Sequence, residues 1–197
     1  GYMWATPLQL ATAVSIIANK GKVVQPRMLK EIVGQAFQGD IKNAVPDVML
    51  SDPDYWRFME EAMTMVVHRP YSDTFRDYGT AYEAIAMADR DMSYKMAGKS
   101  GSAQVVGISQ EIFHSTDIIV SDLNKDHGLF IAFAPTENIQ ISPQIAVAVF
   151  VENGEYGSSV AGPIAKQVID TYLLDILQID FAAMEAATDS LISQVDD

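Results

Sequence analysis

The chain has 197 residues, 49% of them hydrophobic, with 26 acidic against 13 basic side chains and a formal net charge of −13 at pH 7. That length supports a core of its own, and that charge argues against nucleic acid or an anionic membrane surface as a partner. The absence of cysteine excludes a disulfide framework and thiolate metal sites, yet fits the cytosol and the bacterial periplasm equally well.

No apolar run reaches the roughly 20 residues of a membrane helix. The longest, "IAVAVFV" at 145–151, has strand length. The chain opens at Gly1 inside what reads as a glycine-rich turn, "GYMWATP", so an upstream part is expected. "ATPLQLATAVSIIANKG" then carries both ends of a helix. Thr6 is the N-cap, Pro7 the first helical residue and Gln9 the capping-box partner, with Lys20 in the last turn and Gly21 as the stop. Leu10, Val14, Ile17 and Ala18 share one face.

"KVVQPRMLKEIVG" is broken by Pro26 and reads as extended, followed by a turn in "GQAFQGD" and a short strand at 41–45. Asp52 and Pro53 start a second helix, on which Trp56, Met59, Met63 and Val66 recur at helical spacing until His68, Arg69 and Pro70 end it. Met59, Met63 and Met65 read as core filling. Residues 71–93 are polar and irregular, with a helical turn expected in "AYEAIAMADRD".

Three strand patterns follow, at 94–107, 129–135 and 144–152, which predict an antiparallel meander. Residues 107–127 are a long polar loop in which His114, Asp117, Asp122, Asp126 and His127 match no compact zinc spacing, so no metal is expected. Gly162 and Pro163 open a last core helix with an apolar stripe of Ile164, Val168, Ile169, Tyr172, Leu173 and Ile176. Residues 180–197 carry Asp180, Glu185, Asp189, Asp196 and Asp197 and no Lys or Arg, and are expected to be a frayed acidic tail. The alternative is a docking helix through Phe181, Met184, Thr188, Leu191 and Val195. The predicted class is α+β, an antiparallel sheet flanked by helices in two layers, with residues 1–179 as the folded part.

The chemistry concentrates in "YKMAGKSGSAQVVG", residues 94–107. A Lys-Ser/Thr-Gly triplet arises by chance in roughly one chain in ten of this length, so alone it is weak. At the head of an edge strand it gains meaning. Lys99 offers a fixed cation, Ser100 a hydroxyl, and Gly101 a place where a ligand can approach the backbone. An extended peptide could add to such a strand, its carboxylate drawn by Lys99 and Ser100 while the amide of Ser102 points at a developing oxyanion. Gln104, on the same face as Ser102, either lines the cleft or is a plain polar strand residue.

"GKSGSAQVVG" resembles the third active-site motif of the penicillin-binding proteins and serine β-lactamases, Lys-Thr/Ser-Gly. "GYMWATPLQLATAVSIIANKG", "VVHRPYSDTFRDYGTA", and "DHGLFIAFAP" followed by "IAVAVFVENG" narrow the resemblance to the class B transpeptidases and their cell-elongation branch, over roughly residues 1–177. The resemblance implies the C-terminal part of a D,D-transpeptidase domain with the β-lactamase-like fold, cross-linking peptidoglycan by serine acyl transfer without a cofactor. It implies that Lys99 orients substrate charge, that Ser100 and Ser102 hold the carboxylate of a D-Ala-D-Ala stem peptide or a β-lactam, and that the Ser102 amide is an oxyanion donor. It further implies periplasmic work at the inner membrane beside membrane proteins of the elongation machinery.

The family's other two motifs, Ser-x-x-Lys and Ser-x-Asn, are absent. No serine here has a lysine three residues on, and nothing near Ser100 in sequence is a base suited to activate it, so the chain is expected to hold no nucleophile and to be inactive alone. It is also expected to fold only marginally by itself, leaving the apolar faces of residues 8–18 and 164–177 partly exposed. A non-catalytic cell-wall scaffold of the same fold and a β-lactamase-type serine hydrolase are the rival readings. Tyr2 and Trp4 are either cleft-rim aromatics or packed residues.

Overall fold

A computed structural model describes residues 4–29, 33–34, 45–72, 78–105, 124–137 and 140–193. Residues 35–40 of the expected turn and 41–44 of the strand expected at 41–45 lie outside these residues. Helix α1, Pro7–Ala18, forms where the caps predict it. Thr6 Oγ1 accepts the Gln9 amide at 3.2 Å and Gln9 Oε1 accepts the Thr6 amide at 2.8 Å, so two donors that no helical carbonyl reaches are satisfied reciprocally. The helix ends at Ala18, two residues before Lys20, which falls beyond it at φ 53. Gly21, at φ +93, turns the chain so closely that a Cβ there would lie 2.3 Å from Val48 O and 2.9 Å from the Trp56 ring.

Helix α2, Asp54–His68, follows with Asp52 Oδ1 accepting the Asp54 amide at 2.9 Å. Its Trp56, Met63, Thr64 and Val67 are buried. Met65 is exposed rather than core, because it lies off that face. Residues 80–88 then wind through successive turns, with Ala81 and Ile85 buried.

Strands β1 (Lys95–Ala103), β2 (His127–Thr136) and β3 (Ile145–Val151) form the expected meander, in the order β1-β2-β3 and antiparallel throughout. β1 pairs in the register Lys99↔Ile131, Ser100↔Phe130, Gly101↔Leu129 and Ser102↔Gly128. The helices cover both faces of this sheet, not one. Val14 and Ala18 of α1 pack with Met63, Ala97 and Phe133 on one face. Phe130, Ala132 and Ala134 pack on the other with Val67, Ile85 and the C-terminal helix. The physical reason is β2 itself, whose continuous apolar run "LFIAFAP" has no polar face to give to water.

The C-terminal helix is α3, Gly162–Asp170, with a wide π-type turn before it (Gly157–Ala161) and another after it (Thr171–Ile176). The buried line runs Ala161, Ala165, Ile169 and Leu173, one position round the helix from Ile164 and Val168. Ile164, Val168 and Ile176, expected in the core stripe, are therefore exposed. Lys166 bridges Asp89 at 2.7 Å and Asp170 at 2.6 Å, and Asp170 also accepts the Tyr94 hydroxyl at 2.6 Å. Burial, then the bond to Asp170, pushes the Tyr94 phenol well above its ordinary value. This network ties α3 to the turns ahead of β1.

Residues 181–193 are not frayed. They form helix α4, Phe181–Ser193, with Asp180 Oδ1 accepting the Ala183 amide at 2.9 Å. Phe181 is 5% exposed and its ring lies 5.5 Å from that of Tyr94, tilted by 38°, with Met184 packed beside the same core. A buried phenylalanine outweighs the charge of the polar face. Val195 lies outside the described residues.

Two glycines of β1 differ in what a methyl group would meet. At Gly98 a Cβ would lie 2.5 Å from the fully buried Phe130 ring and 3.3 Å from Val67, whereas at Gly101 it would meet only Leu129 at 3.6 Å. Gly98→Ala should therefore cost about 1–3 kcal/mol of stability by overpacking, and Gly101→Ala should stay within about 0.5 kcal/mol of the parent. Chemical denaturation of the two variants checks the contrast.

Candidate functional site

The outer edge of β1 is paired with no strand among the described residues, and its two halves differ. At its start the register shifts between Lys95 and Ala97, and the Met96 amide turns outward to donate to His68 Nε2 at 3.1 Å. The C-terminal end of α2 therefore caps this part of the edge. From Lys99 to Ser102 no strand among the described residues covers the edge.

Alternation along the strand sends Lys99 and Gly101 toward the α1 face and Ser100 and Ser102 toward the α3 face. Lys99 is exposed, and its Nζ folds back to donate to Ser100 O at 2.7 Å. Ser100 Oγ stands 3.5 Å from Thr80 Oγ1. Ser102 Oγ donates to Glu155 O at 3.0 Å, so its proton is already committed within the fold. Gln104 lies one residue past the end of β1 and is exposed. Among the described residues, the partner of the Ser100 hydroxyl is the Thr80 side chain and that of the Ser102 hydroxyl is the Glu155 carbonyl.

Sequence reasoning missed Glu155 and Gly157, which close the far end of the site. Asn153 and Glu155 both take left-handed backbone, at φ 55 and φ 56, a conformation that costs non-glycine residues free energy. The turn is held by the Asn153 amide donating to His127 Nδ1 at 2.9 Å and the Glu155 amide donating to Asp126 O at 2.8 Å. Gly157 then crosses the sheet so closely that a Cβ would lie 2.0 Å from Leu129 O and 2.5 Å from Gly101 O. A glycine after an acidic turn was the only signal in the sequence.

Beside Gly101 and Ser102 opens a cleft of about 600 Å³ whose walls include Thr6, Pro7, Leu10, Leu129 and Phe150. The capped N-terminus of α1 thus faces the open end of β1. A cavity of about 580 Å³ lies at the opposite end of the strand, near Lys95, Tyr94 and Phe181, and holds none of Lys99 to Gln104. Trp4 is exposed, and Tyr2 is outside the described residues. Of the polar loop, His114, Asp117 and Asp122 also lie outside them, and no group of three metal-ligating side chains occurs among the described residues.

A family model described as the penicillin binding protein transpeptidase domain matches residues 1–170. The chain is 36% identical over 174 residues to the peptidoglycan D,D-transpeptidase MrdA of Haemophilus influenzae, covering 88% of this chain and 24% of that protein. With the MrdA of Acinetobacter baumannii the identity is 39% over 178 residues, covering 88% and 23%. The chain thus spans about a quarter of the length of these curated relatives. Among solved structures, the apo transpeptidase domain of Burkholderia pseudomallei penicillin-binding protein 3 superposes with a TM-score of 0.55 at 23% identity, covering 89% of this chain and 43% of that one. That likeness is one of fold.

His68, which anchors the capped half of the edge, has its pKa lowered from 6.5 by burial and by the neighbouring Lys95 charge, against an opposing pull from Glu137. A histidine depressed in the folded state contributes stability that is complete above the unfolded value and is lost as pH falls from about 6.5 toward the folded one. Thermal unfolding between pH 7.5 and 5 should show stability declining through this window. His68→Gln, which keeps an acceptor but does not titrate there, should flatten that decline, and equal slopes would contradict the assignment.

Proposed function

This chain belongs to the penicillin-binding protein transpeptidase domain family, and we propose that it supplies the substrate-carboxylate side of a peptidoglycan D,D-transpeptidase of the penicillin-binding protein 2 branch. The observation that carries the reading is the open half-edge of β1, from Lys99 to Ser102, beside a cleft and inside the family match.

In the proposed reaction a serine hydroxyl attacks the carbonyl between the two terminal D-alanines of a stem peptide. The C–N bond breaks, the last D-alanine leaves with the serine proton on its amine, and an acyl-enzyme ester remains. An amine of a neighbouring stem peptide then attacks the ester, forming the cross-link and returning the proton to the serine. A β-lactam enters the same first step, but its opened ring stays attached and blocks the second. The serine and its base are not among this chain's residues, and Ser100 is not assigned to that role.

Lys99 contributes a cation that needs only to leave its own strand's carbonyl to face a substrate carboxylate. Ser100 and Ser102 offer hydroxyls beside it. Ser102 must exchange its bond to Glu155 O before it can donate to substrate. The Ser102 amide is assigned to the oxyanion. Gly101 leaves the α1-facing side of the strand bare next to the cleft, and Gln104 extends the edge beyond it. The proposed setting is the periplasmic face of the inner membrane, with membrane proteins of cell elongation as partners. No cofactor is assigned.

Lys99→Ala in the whole protein should slow acylation by a fluorescent penicillin by roughly a hundredfold, on the order of 3 kcal/mol of transition-state stabilisation. Its melting temperature should stay near the parent's, because Lys99 is exposed and, among the described residues, bonds its neighbour's carbonyl alone. Acylation at the parent rate with a sharp fall in melting temperature would make Lys99 structural.

A further inference from the structure

The geometry points to Thr80 as a second hydroxyl donor for the substrate carboxylate, paired with Ser100 across the gap between the 78–81 segment and β1; this rests on the carboxylate-binding role proposed for that strand. Thr80 is twenty residues from Ser100 in sequence, yet Thr80 Oγ1 lies 3.5 Å from Ser100 Oγ. That distance is longer than the 2.5–3.0 Å of a good hydroxyl hydrogen bond, so the two groups do not saturate one another. Their separation suits a single carboxylate accepting from both.

The placement of Thr80 is enforced on both sides. The Gly79 amide donates to Arg69 O at 2.9 Å and the Ala81 amide donates to Val66 O at 2.9 Å. These acceptors belong to the C-terminal end of α2, where carbonyls lack helical partners, so the segment and the helix complete each other. At Gly79 a Cβ would lie 2.4 Å from both Met65 O and Val66 O, so no larger residue allows the approach. Ala81 is fully buried against the core that holds Met96 and Phe130. Between two pinned neighbours, Thr80 is exposed.

The same helix end that seals the first half of β1 through His68 therefore also carries a hydroxyl to the second half. A carboxylate there meets two neutral donors on fixed backbone, and the Lys99 cation once Nζ leaves Ser100 O. Hydrogen bonds to a charged acceptor are the strong kind, and donors fixed in advance lose little entropy on binding.

The test uses the whole protein with Thr80→Val, which keeps the shape and removes the hydroxyl, and Thr80→Ser, which restores it. Acylation rate constants are measured with a penicillin and with the methyl ester of its ring carboxylate. Thr80→Val should lower the free-acid to ester rate ratio by roughly tenfold, the loss expected for one hydrogen bond to a charged group, and Thr80→Ser should recover most of it. An unchanged ratio, or equal loss with both compounds together with a lower melting temperature, would overturn the assignment. Ser100→Ala separates the two layers of the argument. If it lowers the ratio while Thr80→Val does not, Thr80 is eliminated and the strand reading stands; if neither does, both fall.

Discussion

The structure depends on a strand that is buried on both faces. Phe130 and Phe133 of β2 are fully buried and point to opposite sides of the sheet, each worth about 1.5–3 kcal/mol of transferred apolar surface. Neither cluster survives a one-residue slip of β2, because the slip would exchange every side chain between two differently shaped covers. The register of β1 against β2 is pinned for the same reason, with Gly98 as the residue small enough to lie against the Phe130 ring. Once that contact is set, alternation alone decides that Lys99 and Gly101 lean one way and Ser100 and Ser102 the other.

An unpaired strand edge invites association with other chains, and folded proteins usually blunt it. Here the blunting is selective. The end of α2 occupies the edge at Met96 through His68, and the Asn153 to Gly157 turn sits over the sheet at Gly101 and Leu129. Among the described residues, what remains open is the short run bearing a lysine, two serines and a glycine, with the capped start of α1 across the cleft. The elements that protect the fold thus also delimit the functional surface, which is why one strand serves as sheet edge and as candidate substrate platform.

Local chemistry was the most readable part of the sequence. Thr6, Pro7 and Gln9 encode the start of α1 within three residues of one another, and period-two patterns place the three strands. The Lys99 to Ser102 run was recognisable because its residues are contiguous. What escaped detection depends on contacts distant in sequence: Thr80 reaches Ser100 through the end of α2, and Glu155 reaches Ser102 through a turn with two left-handed residues. The second helical layer was legible in principle, since the unbroken apolar run of β2 has no solvent face. The error over Ile164 and Val168 has a different source: both lie within regular α3, one position round the helix from the buried Ala165 and Ile169, and their apolar character pointed to a wider stripe than the sheet covers. For α4, acidity pointed to fraying, and one aromatic anchor against Tyr94 decided otherwise.

The central claim is that the open half of β1 binds the carboxylate of a peptide-like substrate. It is tested most directly by a crystal structure of the whole protein acylated by a penicillin. The ligand should lie alongside residues 99–102, its ring carboxylate within hydrogen-bonding distance of the Ser100 and Ser102 hydroxyls and near Lys99 Nζ, with the Ser102 hydroxyl released from Glu155 O. A ligand whose carboxylate is held elsewhere, with Ser102 still bonded to Glu155 and no contact along this edge, would contradict it.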